Sequence, residues 1–370
     1  MSDGVWHEWA TREAQLVHAR HQWRAPREVD ARGPDGLLDG RDVVSFASND
    51  YLGLSAHPAV AAAAHAAIDR WGTGSGAARL IVGSRPVHHE LEDALAVWKH
   101  SERAVLFGSG YTANLGVLTT FAGPDVLVCS DELNHASIVD GRRLARAPLA
   151  VYRHRDVAHL DDLLRQSQAA RAVVVSETVF SMDGDIAPVD ELIDVCAHHE
   201  ALLVLDEAHA VLGPEPGPLG DAVLRVGTCS KTLGALGGFV AGPRALTDLL
   251  ENQARPYIFT TALSPADAAA ALAALRVVGS PEGDALRARL RRHVDTLRPG
   301  HPSPILPIVC GGEEAALAAA TELLEQGLLV SAIRPPTVPA GTSRLRVTVS
   351  AAHSDDQVAR LADALRARFP

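Results

Sequence analysis

Residues 201–209 read ALLVLDEAH, a short apolar run closed at once by Asp206, Glu207 and His209. It is the last of five such runs: AVLF at 104–107, DVLV at 125–128, LAVY at 149–152 and AVVV at 172–175 precede it. Segments with helical patterning, such as YTANLGVLTTF and PVDELIDVCAHH, lie between them. Short apolar strands alternating with helices predict an α/β fold, a mainly parallel sheet covered on both faces. In such sheets ligands sit beyond the carboxyl ends of the strands, so the residues directly after each run are where chemistry is expected. Those residues are Gly108 to Thr112, His135, Glu177 with Ser181, and Asp206 with His209.

Outward from this core the patterning changes. After a helical segment beginning at Ala262, GSPEG at 279–283 interrupts, and a helix, the strand-like PILPIVC and a closing helix follow. This predicts an N-terminal, mainly helical arm over 1–45, a large α/β domain over 46–275 and a smaller α+β domain over 276–370. The chain has 370 residues, ample for a core without disulfides. Its net charge of −11 is the wrong sign for neutralising many phosphates, which excludes nucleic acid as the main partner. No apolar stretch approaches the roughly 18 to 20 residues of a membrane helix. The start, MSDGVWHEWATREAQ, reads as neither secretory signal nor transit peptide, so a cytoplasmic location is expected. Cys129, Cys196, Cys229 and Cys310 are far apart with no CxxC pair, and no metal site is expected.

Two motifs admit rival readings. Gly108-x-Gly110-x-x-Ala113 between a strand and a helix satisfies the dinucleotide fingerprint, with Asp131 placed for a ribose, so a nicotinamide-dependent dehydrogenase is one alternative. The same glycines serve any phosphate at a helix N-terminus, or a plain turn with no ligand. Asp206-Glu207-Ala208-His209 spells the acidic motif of some helicases, but no P-loop precedes it; the nearest match, Arg225 to Thr232, comes after it and has Arg225 and Ser230 where glycines are required.

Lys231 decides between them. It lies in Thr228-Cys-Ser230-Lys231-Thr-Leu-Gly234, with Gly237 and Gly238 beyond, and the small neighbours let a planar ligand approach the backbone. A lysine held in apolar surroundings becomes an amine nucleophile. An acid, a phosphate cradle and such a lysine together meet the needs of pyridoxal phosphate: a carboxylate for the ring nitrogen, donors for the phosphate, an amine for the aldehyde.

SNDYLGL (48–54), FGSGYTANLG (107–116), NHAS (134–137), ETVFSMDGD (177–185), DEAH (206–209), TCSKTLG (228–234) and PPTVPAGTSRLR (335–346) occur in that order. With these seven motifs the chain resembles, nearly end to end, the α-oxoamine synthases of the fold-type I pyridoxal-phosphate enzymes. The resemblance implies that Lys231 holds the cofactor and serves as general base, that Asp206 keeps the ring nitrogen protonated, and that His135 stacks on the ring and relays a proton. It implies that His209 and Ser181 meet the phenolic oxygen, that Gly110, Tyr111 and Thr228 contact phosphate or ring, and that Glu177 orients neighbours. Arg346, with Asn49, would take the amino-acid carboxylate, Arg344 would pack or solvate, and Arg20 and Thr337 would meet substrate. Thr260 or Thr261 would reach the phosphate of a second chain, since such enzymes are homodimers with the cofactor at the interface. Residues 333–339, IRPPTVP, resemble the members that join L-alanine to a pimeloyl thioester, carried by coenzyme A or acyl carrier protein, to make the biotin precursor 8-amino-7-oxononanoate. Relatives using glycine with acetyl-CoA or succinyl-CoA are the alternative. Two departures stand out: Ala210 replaces a common glycine, and only 25 positions separate Asp206 from Lys231, so the loop 211–220 is short.

Overall fold

The computed structural model describes residues 4–213 and 219–369. A helix, Val5–Ala19, opens the chain and buries none of its residues. Residues 29–45 are not helical. Strands β1 (Val29–Ala31), β2 (Asp35–Leu38) and β3 (Arg41–Ser45) form an antiparallel meander. This corrects the expected helical arm over 1–45, and the reason is local: Asp39 and Gly40, the two residues between β2 and β3, both have positive φ, 50° and 78°. That is the two-residue hairpin turn whose twist matches its strands, and the Asp-Gly pair is its sequence signal.

The large sheet has seven strands: β4 (Arg103–Phe107), β5 (Val126–Asp131), β6 (Leu149–Tyr152), β7 (Arg171–Glu177), β8 (Leu202–Asp206), β9 (Val223–Thr228) and β10 (Gly238–Gly242). Their order is β4-β10-β9-β8-β7-β5-β6, with β10 antiparallel to both neighbours and the remaining pairs parallel. The five apolar runs are strands, as expected. Four of them are buried, and the centres of β7 and β8 are sealed from solvent, while β6, at the sheet edge, leaves Leu149 and Val151 exposed. The carboxyl ends of β4, β5, β7, β8 and β9 therefore share one edge.

The C-terminal strands are β11 (Ile305–Gly311), β12 (Leu328–Leu329), β13 (Ser331–Ile333) and β14 (Ser343–Thr348). An antiparallel sheet β11-β14-β13 forms there, while β12 pairs in parallel with β3. The two ends of the chain thus share a sheet, which accounts for the poor fit of residues 29–45 to a free arm. The division expected at residue 275 separates sheets but not the core. One apolar cluster runs from Phe46 and Tyr51 through Leu91 and Leu272 to Val347 and Leu361. Ser280, in the interrupting GSPEG, caps the helix Pro281–Leu297. All four cysteines are free.

Candidate active site

A cavity of about 210 Å³ opens at the carboxyl edge of the large sheet, lined by Ser109, Gly110, Tyr111, Asn114, His135, Ser137, Glu177, Asp206, Ala208, His209, Thr228, Ser230 and Lys231. Asp206 closes β8 and is buried. Its carboxylate accepts from Asn114 Nδ2 at 2.7 Å and from the Ala208 amide at 3.0 Å. Glu177 closes β7, accepts from the Ser181 amide at 3.1 Å, and keeps its other oxygen buried without a partner among the described residues. Burial, then the nearby charge of Asp206, pushes the Glu177 carboxyl up to about 8. Lys231 lines the same cavity, within reach of the charge of both acids. Burial holds its ammonium below the usual lysine range, against the pull of Asp206 and Glu177.

The phosphate side is built by a helix start. Ser109 caps the helix Gly110–Phe121 by accepting from the Thr112 amide, which leaves the first amides, those of Gly110 and Tyr111, to an anion. β10 lies tight against this turn: a Cβ on Gly238 would fall 2.3 Å from the Ser109 carbonyl carbon, so only glycine fits. Thr228 Oγ1 closes the floor, bonded to the Gly237 carbonyl at 2.9 Å and to Ser230 Oγ at 2.7 Å. Gly234, with φ +60°, turns the chain after Lys231, where a Cβ would meet the Ser55 amide at 2.2 Å.

Not every expected contact is made through a side chain. Ser181 works through its backbone: its amide goes to Glu177 and its carbonyl accepts from Arg346 Nε at 2.6 Å. Arg346 also donates to Asn49 Oδ1 at 3.2 Å, so those two substrate candidates are together. Tyr51, absent from the sequence-derived site although it lies within SNDYLGL, connects them to the cavity. Its hydroxyl is 3.1 Å from Asn49 Oδ1 and 2.6 Å from His209 Nδ1. Burial, then Lys231 and Arg346, holds His209 well below the ordinary histidine range, so the ring is neutral. Tyr111 gives its hydroxyl proton to Asp140.

Other candidates lie elsewhere. Arg20 ends the exposed first helix, and Thr337 sits in an exposed turn with its amide on the Arg334 carbonyl; neither lines the cavity. Thr260 and Thr261 line a separate small groove with Gly108 and Arg79. Arg344 is buried and paired with Asp183 rather than solvated. Asp131, the ribose acid of the dehydrogenase alternative, is occupied by His154 at 3.0 Å and by the amides of Leu133 and Arg155, each at 2.9 Å. Residues 214–218 of the short loop lie outside the described residues. Among the described residues no His, Cys, Asp and Glu cluster could hold a metal, and no helix is long and apolar enough to cross a membrane.

The family described as aminotransferase class I and II matches residues 41–365. An 8-amino-7-oxononanoate synthase of Anaeromyxobacter dehalogenans is 49% identical over 383 residues, covering 98% of this chain and 96% of the relative. The chain belongs to this family, among its 8-amino-7-oxononanoate synthases. A synthase of the same description from a Methylobacterium species is 49% identical over 334 residues, 88% of this chain and 87% of its own. Among solved structures, serine palmitoyltransferase of S. paucimobilis, with bound PLP, superposes at a TM-score of 0.91 and 30% identity, covering 99% of this chain and 98% of that one. An 8-amino-7-oxononanoate synthase from Francisella tularensis gives 0.73 and 26%, covering 88% and 98%. The donors at this edge fit pyridoxal phosphate: a buried carboxylate with uncharged partners for the ring nitrogen, open helix-start amides for the phosphate, and a lysine of lowered basicity between them.

Proposed function

We propose that this chain carries out the decarboxylative condensation of L-alanine with a pimeloyl thioester, giving 8-amino-7-oxononanoate, carbon dioxide and free thiol in biotin biosynthesis. The observation that carries the reading is Lys231 facing Asp206 in one cavity whose far side is the start of the helix Gly110–Phe121. Pyridoxal phosphate bound there supplies an electron sink for a carbanion beside the amino group. Asp206 holds a proton on the ring nitrogen, because a carboxylate at hydrogen-bond distance favours the cation. Lys231 would hold the cofactor through its amine and, when that amine is free, would take the proton from the alanine Cα; burial lowers its basicity toward this task. His135, on the cavity wall, would cover the ring. Arg346, steadied by Ser181 and Asn49, takes the alanine carboxylate with its planar fork of donors.

The chain works as a homodimer in this reading. Leu80, Ile81, Val82 and Phe259 are exposed apolar side chains near the equally exposed Thr260 and Thr261, a surface that a second copy would cover while bringing a threonine to the neighbouring phosphate. Either coenzyme A or acyl carrier protein serves as thiol carrier.

The test is thiol release with alanine, glycine and serine against pimeloyl-, acetyl-, succinyl- and palmitoyl-CoA, with products identified by mass. Alanine with pimeloyl-CoA is expected to lead. One methyl group changes transition-state binding by about 1–3 kcal/mol, so glycine is expected to react ~10–200-fold more slowly rather than not at all. Preference for glycine or serine with another acyl group contradicts the assignment.

A further inference from the structure

Along the cavity wall a line of polar side chains joins Asp206 to His135. Asn114 Nδ2 lies 2.7 Å from Asp206 Oδ2 and 2.9 Å from Ser137 Oγ, and Ser137 Oγ lies 2.8 Å from His135 Nδ1. The direction of each bond is set by chemistry. An ionised carboxylate only accepts, so the amide nitrogen of Asn114, not its oxygen, must face Asp206. The oxygen is left buried without a partner among the described residues, so nothing on its own side fixes this orientation. The second amide proton then goes to Ser137 Oγ, whose own proton is free for His135 Nδ1.

A second bond, independent of any hydroxyl, reaches the same nitrogen. The backbone amide of Ser137 points at His135 Nδ1 from 3.2 Å, a contact that requires a lone pair there. One residue thus directs two donors onto one ring nitrogen. With Nδ1 engaged as an acceptor, a neutral ring must carry its proton on Nε2.

We infer that Asn114 and Ser137 are positioning residues that tie Asp206 to His135 through one directed hydrogen-bond chain and fix His135 as a neutral imidazole protonated on Nε2. The inference rests on the reading that His135 covers the cofactor. His135 then offers a donor, not a base, to the reacting atoms. Making it an imidazolium would turn the Ser137 hydroxyl away and strip the Ser137 amide of its acceptor. Burial lowers the basicity of the ring, Asp206 and Asp140 pull the other way, Lys231 adds to the effect of burial, and the net shift is downward. The chain also explains why Asp206 keeps uncharged partners. A polarised amide holds the carboxylate in place and still leaves its charge for a ring nitrogen.

The test is the nitrogen and proton spectrum of ¹⁵N-histidine-labelled, cofactor-loaded protein across pH, with the His135 signals assigned by His135→Asn. Wild type is expected to show the Nε2–H tautomer. Ser137→Ala removes one of the two donors and is expected to raise the His135 midpoint, whereas Ser137→Thr, which keeps the hydroxyl, is expected to match wild type. Asn114→Ala touches no atom of His135, yet is expected to shift it in the same direction as Ser137→Ala. An Nδ1–H tautomer in wild type overturns the inference. A shift in Ser137→Ala with none in Asn114→Ala overturns the coupling to Asp206. The readout is a ring nitrogen and not turnover, so a wrong amino-acid or acyl assignment leaves its outcome unchanged.

Discussion

Asp206 and Glu207 are consecutive, both buried, and placed by the same strand, yet they face opposite chemistry. Asp206 turns toward the cavity and takes its hydrogen bonds from two amide N–H groups, those of Asn114 and Ala208. Glu207 turns away and meets Lys99 Nζ at 3.0 Å and Arg225 Nε at 2.6 Å. Arg225 also donates to the Lys99 carbonyl at 2.8 Å, and the Lys99 ammonium lies 3.7 Å from the Trp98 ring centre. The difference separates two uses of a buried carboxylate. One kept by neutral donors holds its charge ready for a ligand; one matched by cations inside the fold has its charge spent on holding elements together.

Changes on each side should therefore read out differently. Lys231→Ala, on the cavity side, is expected to cost about 10³-fold or more in turnover and to abolish covalent cofactor attachment, with the thermal midpoint of the cofactor-free protein unchanged or raised. Asp206→Asn is expected to lower turnover by ~10²–10³-fold while cofactor still binds. Near-normal turnover in that variant would break the distinction. Glu207→Gln leaves two buried cations short of their counter-charge and is expected to cost about 3–5 kcal/mol in unfolding experiments. Turnover per folded molecule should change far less than in Asp206→Asn.

A third arrangement sharpens the contrast, because its cation can titrate. His154 sits between Asp131 at 3.0 Å and Asp185 at 2.8 Å. Burial works against its charge, but hydrogen bonds to both carboxylates override this and raise its pKa from 6.5 to about 9. A raised pKa in the folded state means that the stabilisation is complete below about pH 6.5 and is lost as pH rises through about 9. The thermal midpoint should fall over that window in wild type and fall less in His154→Asn. Equal slopes would show that the pair of acids does not hold a charged ring. The smallest effect is expected from Tyr51→Phe, which removes the hydroxyl between His209 and Asn49. The loss of about 0.5–1.5 kcal/mol should appear in unfolding experiments, with kcat/KM for alanine changed only a few-fold.

The sequence carries this division unevenly. Strands β4, β5, β7 and β8 are legible because buried strands need continuous apolar runs, and the rule that ligands gather at their carboxyl ends puts Asp206, His135 and Glu177 in the cavity before any geometry is known. β10 is not among the apolar runs read from the sequence, because Gly238 and Gly242 bound it, and those glycines are accounted for by the close approach of Ser109 and Leu224. The meander β1 to β3 is missed although Asp39-Gly40 announces its turn. Asn114, Ser137 and Tyr51 lie inside recognised motifs, but what they bond is distant in sequence, so the motif gives their identity and not their partner. Arg20 and Thr337 stand apart from the cavity. Resemblance assigns them to substrate, and in a single chain neither lines the cavity.

The central claim is that the cavity at this sheet edge holds pyridoxal phosphate on Lys231. Treating cofactor-loaded protein with borohydride, which reduces an imine to a stable amine, and mapping the product by peptide mass spectrometry tests it directly. A phosphopyridoxyl adduct on Lys231 is expected in wild type and none at that position in Lys231→Ala. An adduct confined to another lysine, or none in protein that still forms product, would contradict it.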